Sequence, residues 1–313
     1  MPVPYLGSKR KSAGKIYQTI KNLNPNSSVL VDLFCGGLAI SEYFIKQGWN
    51  VIANDKNKYV IELARKTIFE GLEETEVTKF VTREKFNQVM DNPDYYDDWY
   101  VGYVMCVWSF GNNQKSYLFG KDTEPYKRAG HELVINKNQD LIKDLIPSIP
   151  QKYLNGILGL DNWHKRRIAL RKVSVALKTR IFELQRLQQL QQLERLQQLE
   201  QLQQLQRLQQ LQQLELYSSD YREVKIPKEA IIYCDPPYKG VETYREDGFN
   251  HDEFWDWARE QSKTNKIYIS EYQAPDDFKI VLRFNQNSTY AGGNNKDQPD
   301  ECLFTIKNKL KTG

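Results

Sequence analysis

The chain has 313 residues, enough to bury one large domain or two ordinary ones. Its 44 Lys+Arg against 40 Asp+Glu leave a formal charge of +4, so a nucleic-acid partner must be argued from where the basic residues sit, not from their sum. Four scattered cysteines (Cys35, Cys106, Cys234, Cys302) with no C-x-x-C pair and no clustered His argue against a disulfide framework and a zinc site. Met1-Pro2-Val3-Pro4-Tyr5 lacks the apolar core of a signal peptide, and no stretch is long and apolar enough to span a bilayer; the expectation is a cytoplasmic protein without a metal.

Tyr5-Leu6-Gly7-Ser8-Lys9-Arg10-Lys11 is a short basic loop, and helical spacing follows from Lys15 to Ile20. Taken alone, such a loop reads as a solvated basic terminus. Val29 to Phe34 is an apolar run typical of a parallel strand; it enters Cys35-Gly36-Gly37-Leu38, and helical spacing resumes from Ala39 to Ile45. Strand, glycine turn and helix bring backbone close to a small ligand, because glycine accepts positive φ and leaves no Cβ in the way. The turn lacks the G-x-G-x-x-G spacing of a pyrophosphate site, which disfavours a dehydrogenase. A second strand, Trp49 to Ala53, ends at Asn54-Asp55, about twenty residues on, where a carboxylate can hold the hydroxyls of a ribose. The alternative for Asp55 is a cap for the helix expected through Val60 to Ala64.

From about Glu70 to Ile226 the strand-helix rhythm is lost. Cys106 to Gly120 mixes aromatics, amides and glycines, which suits a binding loop and equally a folded turn over a small core. Lys165, Arg166, Arg167, Arg171, Lys172, Lys178 and Arg180 lie in a stretch without an acid, a candidate phosphate-contacting surface or else a solvated helix face. Leu184 to Leu214 repeats leucine at every third position between Gln, Glu and Arg. The residues are helix formers, yet a leucine stripe with that period slips about 60° per repeat around an α-helix and does not fit a heptad seam. A helix is favoured over a short solenoid, and the tract is assigned the role of a spacer or interaction element, self-association included.

Strand patterns return at Ile231 to Cys234, Lys266 to Ser270, Phe278 to Leu282 and Cys302 to Ile306, with a helical stretch at Phe254 to Ala258. The first of these strands delivers Asp235-Pro236-Pro237-Tyr238. Consecutive prolines fix φ and remove two N–H donors, leaving the Asp235 and Pro236 carbonyls to accept from something else, where ligands bind in open α/β sheets. The fold class expected is α/β: a Rossmann-like, mostly parallel sheet with an antiparallel edge strand, interrupted by a largely helical insertion.

In order, Tyr5-x-Gly7-x-Lys9, Asp32-x-Phe34-x-Gly36-Gly37, Asn54-Asp55, Asp220-Tyr221, Asp235-Pro236-Pro237-Tyr238 and Glu301-x-Leu303 resemble the motifs of the site-specific DNA adenine-N6 methyltransferases. The resemblance implies a catalytic domain that binds S-adenosylmethionine over residues 1–71 and 217–313, and a target-recognition domain over 72–216 that includes the Leu/Gln repeat at 183–216. It implies that Asp32, Phe34, Gly36, Gly37, Asp55, Asp220 and Tyr221 surround the cofactor and that Tyr5 and Lys9 close the pocket. Asp235, Pro236, Pro237 and Tyr238 would carry the chemistry, and Lys165, Arg166, Arg167, Arg171 and Lys172 would contact double-stranded DNA. Leu38 departs from the family, in which many relatives have a glycine or a small residue there. The activity implied is methyl transfer to N6 of a flipped-out adenine, in a setting that includes restriction-modification. Methylation of RNA or of a protein amide, and a non-catalytic DNA-binding scaffold, are the alternatives.

Overall fold

The computed structural model describes residues 3–5, 7–177, 213–238, 248–284 and 300–307. Seven strands form one sheet: β1 (Val29–Asp32), β2 (Asn50–Asn54), β3 (Leu214–Tyr217), β4 (Ile231–Cys234), β5 (Lys266–Glu271), β6 (Phe278–Arg283) and β7 (Cys302–Ile306). Their order is β3-β2-β1-β4-β5-β7-β6. The β3, β2, β1, β4 and β5 strands run parallel, whereas β7 pairs antiparallel with both β5 and β6. All of β4 is buried, as expected of an apolar strand covered on both faces.

Helices cover the two faces. Ile16 and Ile20 of α1 (Ala13–Leu23), Phe44 and Ile45 of α2 (Ala39–Lys46), and Val60, Ile61 and Leu63 of α3 (Lys58–Arg65) join one buried cluster with Leu30, Val51, Ile231 and Tyr233. Phe254, Trp255 and Ala258 of the helix His251–Gln261 join a second with Val31, Ile232 and Ile269. Alternate residues of β1 and β4 therefore feed opposite layers, the period expected of strands buried on both sides.

In the register, Asp32 of β1 lies beside Ala53 of β2 and Tyr233 of β4. The carboxyl ends of these strands therefore lie side by side. Strand order departs in opposite directions from β1 and β4, which makes this end a topological switch point, the crevice where open α/β sheets bind ligands.

Between β2 and β3 the described chain forms helices and one small hairpin closed by an antiparallel bridge between Ser109 and Tyr117. The helix Asp98–Val107 packs on α3 so closely that a Cβ on Gly102 would stand 2.0 Å from the Tyr59 carbonyl oxygen. Glycine is what permits that approach, and it fixes the hairpin relative to the end of β2.

The end of the leucine repeat meets the sheet. Leu214, the last leucine of the repeat, opens β3, which pairs residue for residue with β2 from Val51↔Leu214 to Asn54↔Tyr217. The sheet thus reaches into the stretch assigned to the repeat at 183–216. A local period cannot reveal this, because the strand exists by virtue of the unpaired edge that β2 offers. Residues 183–212 of the repeat lie outside the described residues. Among the described residues no helix is long and apolar enough to cross a membrane, and no cluster of His, Cys, Asp and Glu could hold a metal ion.

Candidate active site

The glycine turn follows β1. Gly36 has φ of 45°, and a Cβ on it would lie 2.8 Å from the Tyr5 ring; one on Gly37 would lie 2.2 Å from the Val3 carbonyl oxygen. The N-terminal segment therefore lies directly on the turn, and side chains at either position would lift it away. Leu38 has φ of 66° and ψ of 25°, the left-handed conformation that glycine adopts freely. A leucine holds it because its side chain is buried in the core under the turn, so burial offsets the backbone strain.

Two acids stand at the turn. Asp55, just past β2, accepts from the Gly36 N–H through Oδ2 at 2.8 Å and from the Asn57 N–H through Oδ1 at 2.9 Å. The N-cap of α3 is Asn57, whose side chain accepts from the Tyr59 N–H, so capping is not the task of Asp55. Asp32, fully buried, accepts from the Ser41 hydroxyl at 2.6 Å through Oδ2, while its Oδ1 has no partner. Burial pushes its carboxyl up to about 7, against the Ser41 hydrogen bond and with the charges of Asp235 and Asp55 adding to the rise. Burial likewise raises Asp55, against the N–H bonds of Asn57 and Gly36.

Asn54 locks two loops together. Its Nδ2 donates to the carbonyls of Leu33 and Ser219, each at 3.1 Å, and its Oδ1 accepts from the Ser219 N–H at 3.1 Å. That brings Asp220 and Tyr221 to the same rim. The Tyr221 ring lies 5.4 Å from Phe34, which also contacts Phe249 and Phe254, so the rim is walled by aromatics. The Asp220 carboxylate is gripped by Arg222, at 2.7 Å from Nε and 2.9 Å from Nη2, and this pairing lowers its pKa.

Across the switch point, Asp235 follows β4. Lys9 Nζ lies 3.0 Å from Asp235 Oδ2 and 3.3 Å from Glu301 Oε1. The Tyr238 hydroxyl lies 2.8 Å from Asp235 Oδ1 and 2.9 Å from the same Glu301 oxygen. Lys9 also sits 4.9 Å above the Tyr238 ring. Burial disfavours the charged ammonium, but Asp235 and Glu301 outweigh it and raise the Lys9 pKa. Burial raises Glu301, with Lys9 opposing. Glu301, which follows the other motifs in the chain, is a buried acid placed one residue before the strand β7.

Residues 5–146 match the family model of the D12 class N6 adenine-specific DNA methyltransferases. The matched segment contains Tyr5, Lys9, Asp32, the glycine turn and Asp55. Asp235, Tyr238 and Glu301 lie beyond it in sequence, and the sheet brings them against its Lys9. No curated protein matches the chain.

The basic residues taken from sequence divide. On the helix Trp163–Leu177, Lys165, Arg171 and Lys172 are exposed and Arg167 is half-buried. Arg166 is buried: Nε donates to the Val134 carbonyl at 2.6 Å, Nη1 to those of Leu160 and Asp161 at 3.0 and 3.1 Å, and Nη2 to that of Ile135 at 3.4 Å. It satisfies carbonyls at the end of the helix Glu124–Ile135 and just past the helix Gln151–Leu158, so its guanidinium is turned inward. Charge density along the sequence could not separate an inward arginine from its outward neighbours. Lys178 and Arg180 lie outside the described residues.

The Cys106–Gly120 stretch is a folded hairpin over a small core. Trp108, Tyr117 and Phe119 are buried, whereas Phe110, Lys115 and Ser116 are exposed at the hairpin tip. Gln114 holds φ of 61° and accepts from Asn57 Nδ2 at 3.3 Å, tying the hairpin to the residues that follow Asp55.

Proposed function

We propose that the chain is an S-adenosylmethionine-dependent methyltransferase acting on N6 of an adenine flipped out of duplex DNA. The observation that carries this reading is the placement of Asp235 at the end of β4, across the switch point from an acid-lined glycine turn. The D12-class match supports DNA adenine methylation in general, and the geometry supports the rest.

The acids gathered at the carboxyl ends of β1, β2 and β4 suit a cationic ligand. Asp32 keeps a buried oxygen without a partner, and Asp55 and Asp235 add negative charge nearby. S-Adenosylmethionine, when bound, supplies a methyl group on a positively charged sulfur. Asp32, Phe34, Gly36 and Gly37 would hold its methionine end, Asp55 its ribose, and Asp220 with Tyr221 its adenine ring, under a cover formed by Tyr5.

An exocyclic amino group is a weak nucleophile because its lone pair is delocalised into the ring. Hydrogen bonds from its protons to the Asp235 carboxylate and the Pro236 carbonyl favour a pyramidal nitrogen and stabilise the positive charge that grows on it. Pro236 and Pro237 hold these acceptors rigidly. Tyr238 offers a face on which an extruded base can stack, since the amino group of a paired base is out of reach. Buried Cys234, whose thiol burial raises well above its ordinary value, has no nucleophilic part in this scheme. The helices between β2 and β3 would choose the sequence, with Lys165, Arg171 and Lys172 on phosphates and the hairpin at Phe110 facing the duplex.

The test is incubation with methyl-labelled cofactor and equal amounts of duplex DNA, RNA and protein. Label recovered as N6-methyladenine in DNA is the expected result. Label in RNA or protein alone, or in none of them, contradicts the reading.

A further inference from the structure

Asp235 is not free to receive a substrate in the arrangement seen. One of its oxygens faces the Lys9 ammonium at 3.0 Å and the other the Tyr238 hydroxyl at 2.8 Å. An amino group bonded to this carboxylate becomes positively charged as it is methylated. A second cation on the same carboxylate opposes that charge in a poorly solvated site, where screening is weak. Lys9 therefore has to give up Asp235 for the carboxylate to act at full strength.

Glu301 offers the alternative. Its Oε1 is already 3.3 Å from Lys9 Nζ and 2.9 Å from the Tyr238 hydroxyl, so both groups can transfer to it with little movement. It immediately precedes β7, which is hydrogen-bonded between β5 and β6, so its backbone is fixed by the sheet. Its side chain is 1% exposed against 19% for Asp235, so Asp235 is the more accessible of the two carboxylates.

We infer that Glu301 is a positioning residue that takes Lys9 and Tyr238 from Asp235 when the target amino group arrives. The inference rests on the methyltransferase reading and adds a role that the residue types alone do not give. Glu301 touches no substrate in this scheme. It acts by deciding where the Lys9 charge resides. A neutral amide in its place keeps a hydrogen bond to Tyr238 but cannot compete with Asp235 for the ammonium. Aspartate keeps the charge with a shorter reach.

The experiment compares the wild type, E301Q and E301D in single-turnover methylation of plasmid DNA at saturating cofactor, with cofactor affinity by calorimetry and Tm on the same samples. E301Q should lose about tenfold to a hundredfold in rate, as expected for removal of one electrostatic contributor, with cofactor affinity and Tm retained. E301D should recover most of the rate. An active wild type with an equally fast E301Q overturns the inference alone. So does a rate loss accompanied by loss of Tm and cofactor binding in both variants, which marks a structural role. A wild type that makes no N6-methyladenine overturns the methyltransferase reading and this inference with it.

Discussion

Asp32 gives one carboxylate oxygen to the Ser41 hydroxyl at 2.6 Å and leaves the other buried without a partner. Its pKa of about 7 in the folded chain stands above the ordinary 3.8. The folded state therefore holds this proton where the unfolded state has released it. Stability is penalised progressively as pH rises from about 4 to about 7 and no further above that. Asn at this position does not titrate and can still accept from Ser41. The Tm of D32N relative to wild type should climb across that window and level off above it, in melts without cofactor. A difference independent of pH contradicts the assignment.

Leu38 holds a left-handed backbone with a buried side chain. Truncation to alanine loses the packing, at about 3 kcal/mol, and keeps the strain. Truncation to glycine loses the packing but relieves strain of about 1 kcal/mol. L38G should therefore be the milder variant in chemical denaturation, reversing the usual ranking of alanine over glycine. If L38A is the more stable of the two, the strain is not there.

The two kinds of arginine on the helix Trp163–Leu177 should behave differently. Arg166→Ala leaves carbonyls of Val134, Leu160, Asp161 and Ile135 without their donor in a buried setting. A loss of about 2–3 kcal/mol in stability is expected. Exposed Arg171→Ala should leave Tm unchanged, weaken DNA binding across sequences, and reduce the salt slope of affinity by about one unit. Equal effects on Tm, or a salt slope untouched by Arg171→Ala, contradict this division.

Much of this was legible in the sequence because it is local. The apolar runs at Val29 and Ile231, the glycine turn, and the rigid Asp235-Pro236-Pro237-Tyr238 corner each carry their structure within a few residues. What escaped is long-range. Leu214 becomes a strand only because β2 has an open edge. Arg166 turns inward only because two helix ends leave carbonyls nearby. Lys9 sits in the N-terminal loop, where a cofactor cover was expected, and its partners Asp235 and Glu301 come from the far side of the chain.

The most direct test of the central claim is the Asp235→Asn exchange, which keeps the shape of the side chain and removes its charge. N6-methyladenine formed in duplex DNA would be quantified by mass spectrometry, beside cofactor affinity by calorimetry. The account predicts product from the wild type, a loss of at least about a hundredfold in D235N, and retained cofactor binding. Methylation by D235N at the wild-type rate would contradict it.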